Sequence, residues 1–193
     1  PIYCKLFNLV LDHGIFPKSW SDSYIRPVFK NKGDQADPDN YRGISIVSCF
    51  GKLFTAVISK RLQNYSDNVN LINDSQAGFR KSYSTTDNIF ILKTLIDVYQ
   101  NLNKKLYCVF IDFSKAFDTV WRCGLWLKMT KNNIGGKCFR IIYNMYQNIK
   151  SCIAHNGTLS SFFSSDIGVR QGENLSPFLF ALDLNRSEEH TSE

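Results

Sequence analysis

No two of the six cysteines in this 193-residue chain are spaced C-x-x-C, and no two of the three histidines are spaced H-x3-5-H. The common structural zinc modules are thereby excluded as the organising device. Cys4, Cys49, Cys108, Cys123, Cys138 and Cys152 mostly have apolar neighbours, as in Tyr107-Cys108-Val109. This pattern reads as reduced, packed thiols in an intracellular protein, nuclear or cytoplasmic, with no disulfide-linked partner. No apolar run approaches the ~18 residues of a membrane span. The phosphate-loop pattern G-x-x-x-x-G-K-[ST] is missing, as are G-x-S-x-G and H-E-x-x-H, which sets aside three large enzyme classes. There is no internal repeat and no low-complexity linker. The chain opens at Pro1, without methionine or the layout of a signal peptide, and is expected to be a fragment at that end.

What is present suffices for one domain with a real core: 44% of the residues are hydrophobic and 21% charged. The formal charge is +6. The final eight residues hold three glutamates and one arginine, so the rest of the chain is more basic than the whole. A basic balance permits an acidic partner such as nucleic acid without singling one out.

Periodicity organises the chain. Tyr3 to Leu11 has helical spacing and stops at His13-Gly14. Tyr24 to Phe29 reads as a strand, 31–34 as a turn and Tyr41 to Ile46 as the returning segment. Val47, Phe50, Phe54, Val57, Ile58 and Leu62 mark an amphipathic helix, and Ile89 to Leu102 a second one with Thr86 or Asp87 as N-cap. Leu106 to Ile111 is almost wholly apolar and suits a buried central strand ending at Asp112. Short helices are expected around Lys115 to Arg122 and from Lys137 to Ile149. Ser151 to His155, Asn156-Gly157 and Phe162 to Ser165 form a hairpin signal, and Asn174 to Leu184 a helix with Pro177 near its start. Helices interspersed with hairpins indicate an α+β fold.

Asp112 is the most informative residue. A carboxylate straight after four apolar residues is costly to desolvate unless cations or donors compensate it. It reads either as a metal ligand held rigidly by the strand or as a cap on the helix beginning near Ser114. The stretch Phe110-Ile111-Asp112-Phe113-Ser114-Lys115-Ala116-Phe117-Asp118 resembles the first palm motif of LINE-type (non-LTR) reverse transcriptases. The resemblance implies that Asp112 ligates two catalytic magnesium ions and that the Phe113 carbonyl ligates one of them. It makes Phe117 a steric gate beneath the sugar of the nucleotide, a role compatible with that of a core aromatic. Asp118 reads as structural.

Further blocks follow in the family's order. Gly168-Val169-Arg170-Gln171-Gly172-Glu173 through Ser176-Pro177 resembles the second palm motif. It implies nucleotide contact by Gln171, close backbone approach at Gly172 and a phosphate contact for Arg170. Glu173 stands where the family usually has aspartate. Pro27 to Asp34 and Asp39 to Ser45 look like the fingers hairpin, with Lys30 and Arg42 holding the triphosphate, although by composition they also read as an exposed basic hairpin. Gln76 to Lys81 and Ser84 to Asp87 match the next fingers block, with Arg80 and Lys81 on the template backbone.

The resemblance covers nearly the whole chain. It implies RNA-templated DNA synthesis, in which dNTPs are joined to a primer 3′-hydroxyl with two magnesium ions. Its fold would be right-hand polymerase fingers and a partial palm, with a central antiparallel palm sheet flanked by helices. Residues 1–105 would be the N-terminal helix and fingers, and 106–185 the palm with inserted helices and a hairpin. The family's aromatic-Ala-Asp-Asp hairpin and thumb do not follow, so this fragment is expected to be inactive and its Asp112 strand unpaired and uncovered. Residues 186–193 read as what AGATCGGAAGAGCACACGTCTGAA encodes, which resembles a sequencing-library adapter; a natural polar terminus is the alternative. Two other readings of the fragment are a non-catalytic nucleic-acid-binding remnant and a decayed element without function.

Overall fold

The computed structural model describes residues 2–147 and 149–185; the 186–193 tail lies outside the described residues. Helix α1 (Ile2–His13) stops where Gly14 turns left-handed at φ +67. A single turn, α2 (Lys18–Ser21), leads into β1 (Ser23–Phe29). β1 pairs antiparallel with β2 (Tyr41–Val47), from Ser23↔Val47 to Phe29↔Tyr41. Then come α3 (Cys49–Asn68), α4 (Thr85–Asn101), α5 (Arg122–Lys131) and α6 (Gly136–Gln147). The remaining elements are β3 (Lys150–His155), β4 (Thr158–Leu159), β5 (Phe163–Ser164) and α7 (Ser176–Leu184).

The β3–β4 hairpin turns on Asn156 and Gly157, at φ 48 and 78. A two-residue turn matching the strand twist needs this left-handed pair. The returning strand then gains a residue: Ala154 faces Leu159 but Ser151 faces Phe163. The extra residue is a bulge, and there the Ile153 amide donates to Ser160 Oγ at 2.9 Å.

The strand order is β2-β1-β3-β4, with β5 also on β3. β1 and β3 run parallel, Ser23↔Ser151 to Ile25↔Ile153, so the sheet is mixed. That corrects the expectation of an antiparallel sheet. Four helices separate these two strands, and a crossover of that size allows β3 to return in the direction of β1. The sheet therefore joins strands from both halves of the chain.

The helices pack mainly on one another. α7 is the most deeply buried, with Leu179 and Leu182 fully covered together with Leu175 just before it. It packs on α5 and α3, while α1 packs on α6. Burying one such leucine stabilises the fold by about 1.5–3 kcal/mol. Phe7, Phe16, Trp20 and Phe54 form an aromatic nest between α1, α2 and α3. Among the described residues, no helix is long and apolar enough to cross a membrane.

Four local expectations are corrected. The N-cap of α4 is Ser84, and Asp87 is its capping-box partner: the Asp87 amide donates to Ser84 Oγ and the Ser84 amide to Asp87 Oδ2. Residues 114–119 form turns rather than a helix, and the helix begins at Arg122. Only Cys152 is fully buried among the cysteines, and four of the six free thiols are exposed. The run 106–111 is neither a strand nor buried: Phe110 is 81% and Ile111 80% exposed. Among the described residues no strand runs alongside it, so its amides and carbonyls have no ladder to join. α4 likewise buries none of its residues.

Gly168 has φ +81, and a Cβ there would lie 2.7 Å from the Asp118 carbonyl oxygen. Gly168→Ala is expected to cost about 1–3 kcal/mol, from a left-handed backbone plus a clash with main chain. Gly135, with open space around it, is the control. Urea midpoints should fall for Gly168→Ala and stay within error for Gly135→Ala; equal midpoints would remove the packing argument.

Candidate functional site

Three separated segments meet around one cleft of about 1110 Å³. Lys30 and Arg42 come from the β1–β2 hairpin, Asp112, Phe113 and Phe117 from the loop after the apolar run, and Gln171 from the turn before α7. Six residues singled out from the sequence are thus brought together. Backbone hydrogen bonds join the segments. The Val169 amide donates to the Phe117 carbonyl at 2.7 Å, Gly168 to Val120 at 2.9 Å, and Ser45 to the Gln171 carbonyl at 2.8 Å.

Gly172 adopts φ +101, and a Cβ there would sit 3.0 Å from the Ser45 carbonyl oxygen. The glycine is thus required by the chain's own close approach to β2.

Arg122, which the sequence reading did not single out, anchors this turn. Its buried guanidinium donates to the carbonyls of Ser165 at 2.6 Å, Gly168 at 2.8 Å, Ile167 at 3.0 Å and Tyr146 at 3.3 Å. It also lies over the Tyr146 ring, 5.0 Å from the centroid. Desolvation lowers its pKa, and the Tyr146 side chain opposes that shift. No sequence spacing marks such a residue, because its partners are main-chain carbonyls.

The charges in the cleft are organised by Asp39, also missed by the sequence reading. Lys30 Nζ donates to the Asp39 carbonyl at 2.7 Å, and Lys115 Nζ reaches Asp39 Oδ1 at 2.9 Å. The hydrogen bond and charge of Lys115 hold the Asp39 carboxyl below the usual aspartate range, and Asp39 raises Lys115 in return. Partial burial pushes Asp118 up, with Lys115 and Lys30 pulling it back. Lys115 itself sits at φ +53, unusual for a lysine.

Phe117 stacks on Phe180 at 5.0 Å and meets Phe79 edge-on at 5.8 Å. Its ring is packed against the core and also lines the cleft.

Three predicted contacts lie elsewhere. Arg170 is buried, donating to the Ser21 carbonyl, with Glu173 Oε2 3.8 Å away. Its guanidinium is enclosed here, and not at the surface where a phosphate contact is expected. Arg170 Nε and Nη1 and Glu173 Oε2 have no hydrogen-bond partner, so the pair is enclosed but loosely satisfied. Arg80 is bound to the Asn73 carbonyl and Asp74 and stacks over Tyr83 at 4.2 Å. Lys81 is exposed outside the cleft.

Magnesium prefers near-octahedral oxygen ligation. Asp112 supplies one carboxylate and Phe113 one carbonyl, and among the described residues no three His, Cys, Asp or Glu side chains converge. These residues do not by themselves fit a pair of magnesium ions.

Residues 29–193 match the family model described as reverse transcriptase (RNA-dependent DNA polymerase). The chain is 30% identical over 189 residues to the RNA-directed DNA polymerase from mobile element jockey of Drosophila melanogaster, covering 96% of this chain and 20% of that protein. It is 29% identical over 179 residues to the jockey polymerase of Drosophila funebris, covering 92% and 19%. To the Pol polyprotein from type-1 retrotransposable element R2 of Nasonia vitripennis it is 27% identical over 176 residues, covering 91% and 17%. The chain thus spans about a fifth of the length of the first two of these relatives.

Burial raises the Glu173 pKa, with the Arg170 charge and the nearby Thr55 side chain opposing it. Between the ordinary glutamate range and that raised value, the folded chain keeps a proton that the unfolded chain has released. Stability should therefore fall as pH rises through this window. Glu173→Gln is expected to flatten that slope in urea titrations from acidic to neutral pH. Parallel parent and variant curves would mean that Glu173 does not titrate abnormally.

Proposed function

The chain belongs to the reverse transcriptase (RNA-dependent DNA polymerase) family, and we propose on that premise that its cleft receives the incoming dNTP in an enzyme that copies RNA into DNA. The observation that carries this reading is the meeting of Lys30, Arg42, Asp112, Phe113, Phe117 and Gln171 around one space. Lys30 and Arg42 are exposed cations at the rim, suited to a triphosphate: arginine as a planar fork, lysine as a mobile charge. Phe117 would stand beneath the sugar, where a packed ring clashes with a 2′-hydroxyl, and Gln171 would meet the nucleotide. Asp112 and the Phe113 carbonyl would be part of a magnesium site. Bound magnesium would activate the primer hydroxyl and neutralise the triphosphate.

In this reading β1 and β2 are the fingers hairpin, residues 106–185 are partial palm, and the ligands completing the metal site lie beyond this chain. The chain alone is then inactive in nucleotidyl transfer. Lys81 is the exposed candidate for the template backbone, because Arg80 is held by Asp74. RNA template, DNA primer and dNTPs are the partners.

In a complete polymerase carrying this segment, Asp112→Asn should abolish primer extension on an RNA template, a loss of at least about a thousandfold. Near-normal extension would remove Asp112 from the metal site.

A second reading, nucleic-acid binding without chemistry, is favoured by the exposed cations Lys30, Lys32, Arg42 and Lys81. It predicts RNA binding by this chain that weakens steeply as salt rises, measured by fluorescence anisotropy. A flat salt response would exclude it.

A further inference from the structure

Asp39 lies in the 3-10 turn Pro38–Asn40, fixed by its own amide donating to Asp37 Oδ1 at 2.9 Å. From that position it engages two lysines at once: Lys30 through its carbonyl oxygen, Lys115 through its carboxylate. Both lysines line the cleft. We propose that Lys115 is a further cationic ligand for the polyphosphate of an incoming nucleotide, and that Asp39 holds it as an internal stand-in for phosphate until the nucleotide displaces it. The inference rests on reading the cleft as a nucleotide site, and adds to it a ligand and a competitor.

Three features carry the argument. The ion pair is exposed, at 55% for the Lys115 side chain and 77% for Asp39. Solvated pairs of this kind hold weakly, whereas a triphosphate brings several charges and many acceptor oxygens to the same space. The Lys115 backbone is fixed, because its carbonyl accepts from the amides of Asp118 at 2.8 Å and Thr119 at 3.2 Å. Exchange of partners therefore needs only rotation of a long, flexible side chain. The bridge also ties the β1–β2 loop to the loop that carries Asp112, and both of its residues line the cleft in which an anion would bind.

The test is calorimetric titration of the full chain at low salt with inorganic tripolyphosphate and with dTTP. Lys115→Gln should weaken binding about fivefold, and Asp39→Asn should tighten it about threefold. In the Lys115→Gln background, Asp39→Asn should have no effect, because the lysine it would release is gone. The idea is overturned if Lys115→Gln binds like the parent, or if the gain from Asp39→Asn survives without Lys115, since that gain would be through-space charge alone. A loss in Lys115→Gln confined to a single-stranded oligonucleotide, with tripolyphosphate binding intact, overturns it as well. Lys30→Ala and Arg42→Ala separate the two levels. If they weaken binding while the Lys115 and Asp39 variants do not, the cleft reading stands and this inference falls. If the parent binds neither probe, or if Lys30→Ala and Arg42→Ala bind like the parent, both fall.

Discussion

One buried cation holds the working part of this molecule in shape. Arg122 gathers four main-chain carbonyls from the end of α6 and from residues 165–168. The Gly168 and Tyr146 carbonyls are buried and would lose this donor without it, a cost of about 1–3 kcal/mol each. Because the turn is fixed there, the next residues can zip onto Phe117, Val120 and Ser45. Gln171 then arrives at the cleft as a consequence of packing two steps away. Arginine suits this position because its planar fork offers five donors at set angles, and a lysine ammonium has neither the number nor the reach.

The β1–β2 hairpin, α3, α6, the Asn156-Gly157 turn and α7 were legible because each rests on a local rule: strand or helix period, a left-handed turn pair, or proline in a first turn. The convergence of Lys30, Arg42, Asp112 and Gln171 was legible through the order of motifs and their likeness to a known family. Arg170 was not. Its neighbours in sequence suggest a surface loop, but the burial that encloses it comes from Ser21, far away in the chain. Asp39 and Lys115 were missed for the same reason: they meet across 76 residues of sequence separation.

The apolar run before Asp112 teaches a different lesson. Composition said that it should be buried, and composition is a statement about preference, not about supply. A strand forms only where neighbouring backbone accepts and donates its hydrogen bonds. With none alongside among the described residues, the run stays unpaired, and α4 beside it in sequence shows the same want of cover. A side chain's hydrophobicity can be read locally, but the surface that answers it cannot.

The parallel pairing of β1 with β3 has a consequence in time. The Ser23 and Ser151 hydroxyls lie 2.9 Å apart across 128 residues of sequence separation. Closing so long a loop gains nothing until both ends have met, so contacts of this kind slow folding. During synthesis the β1–β2 hairpin leaves the ribosome well before β3 exists. It must wait with one edge of β1 open while four helices are made. The sheet becomes whole only after β3 has been made, and until then the open edge is where a nascent chain of this design is most in need of a chaperone.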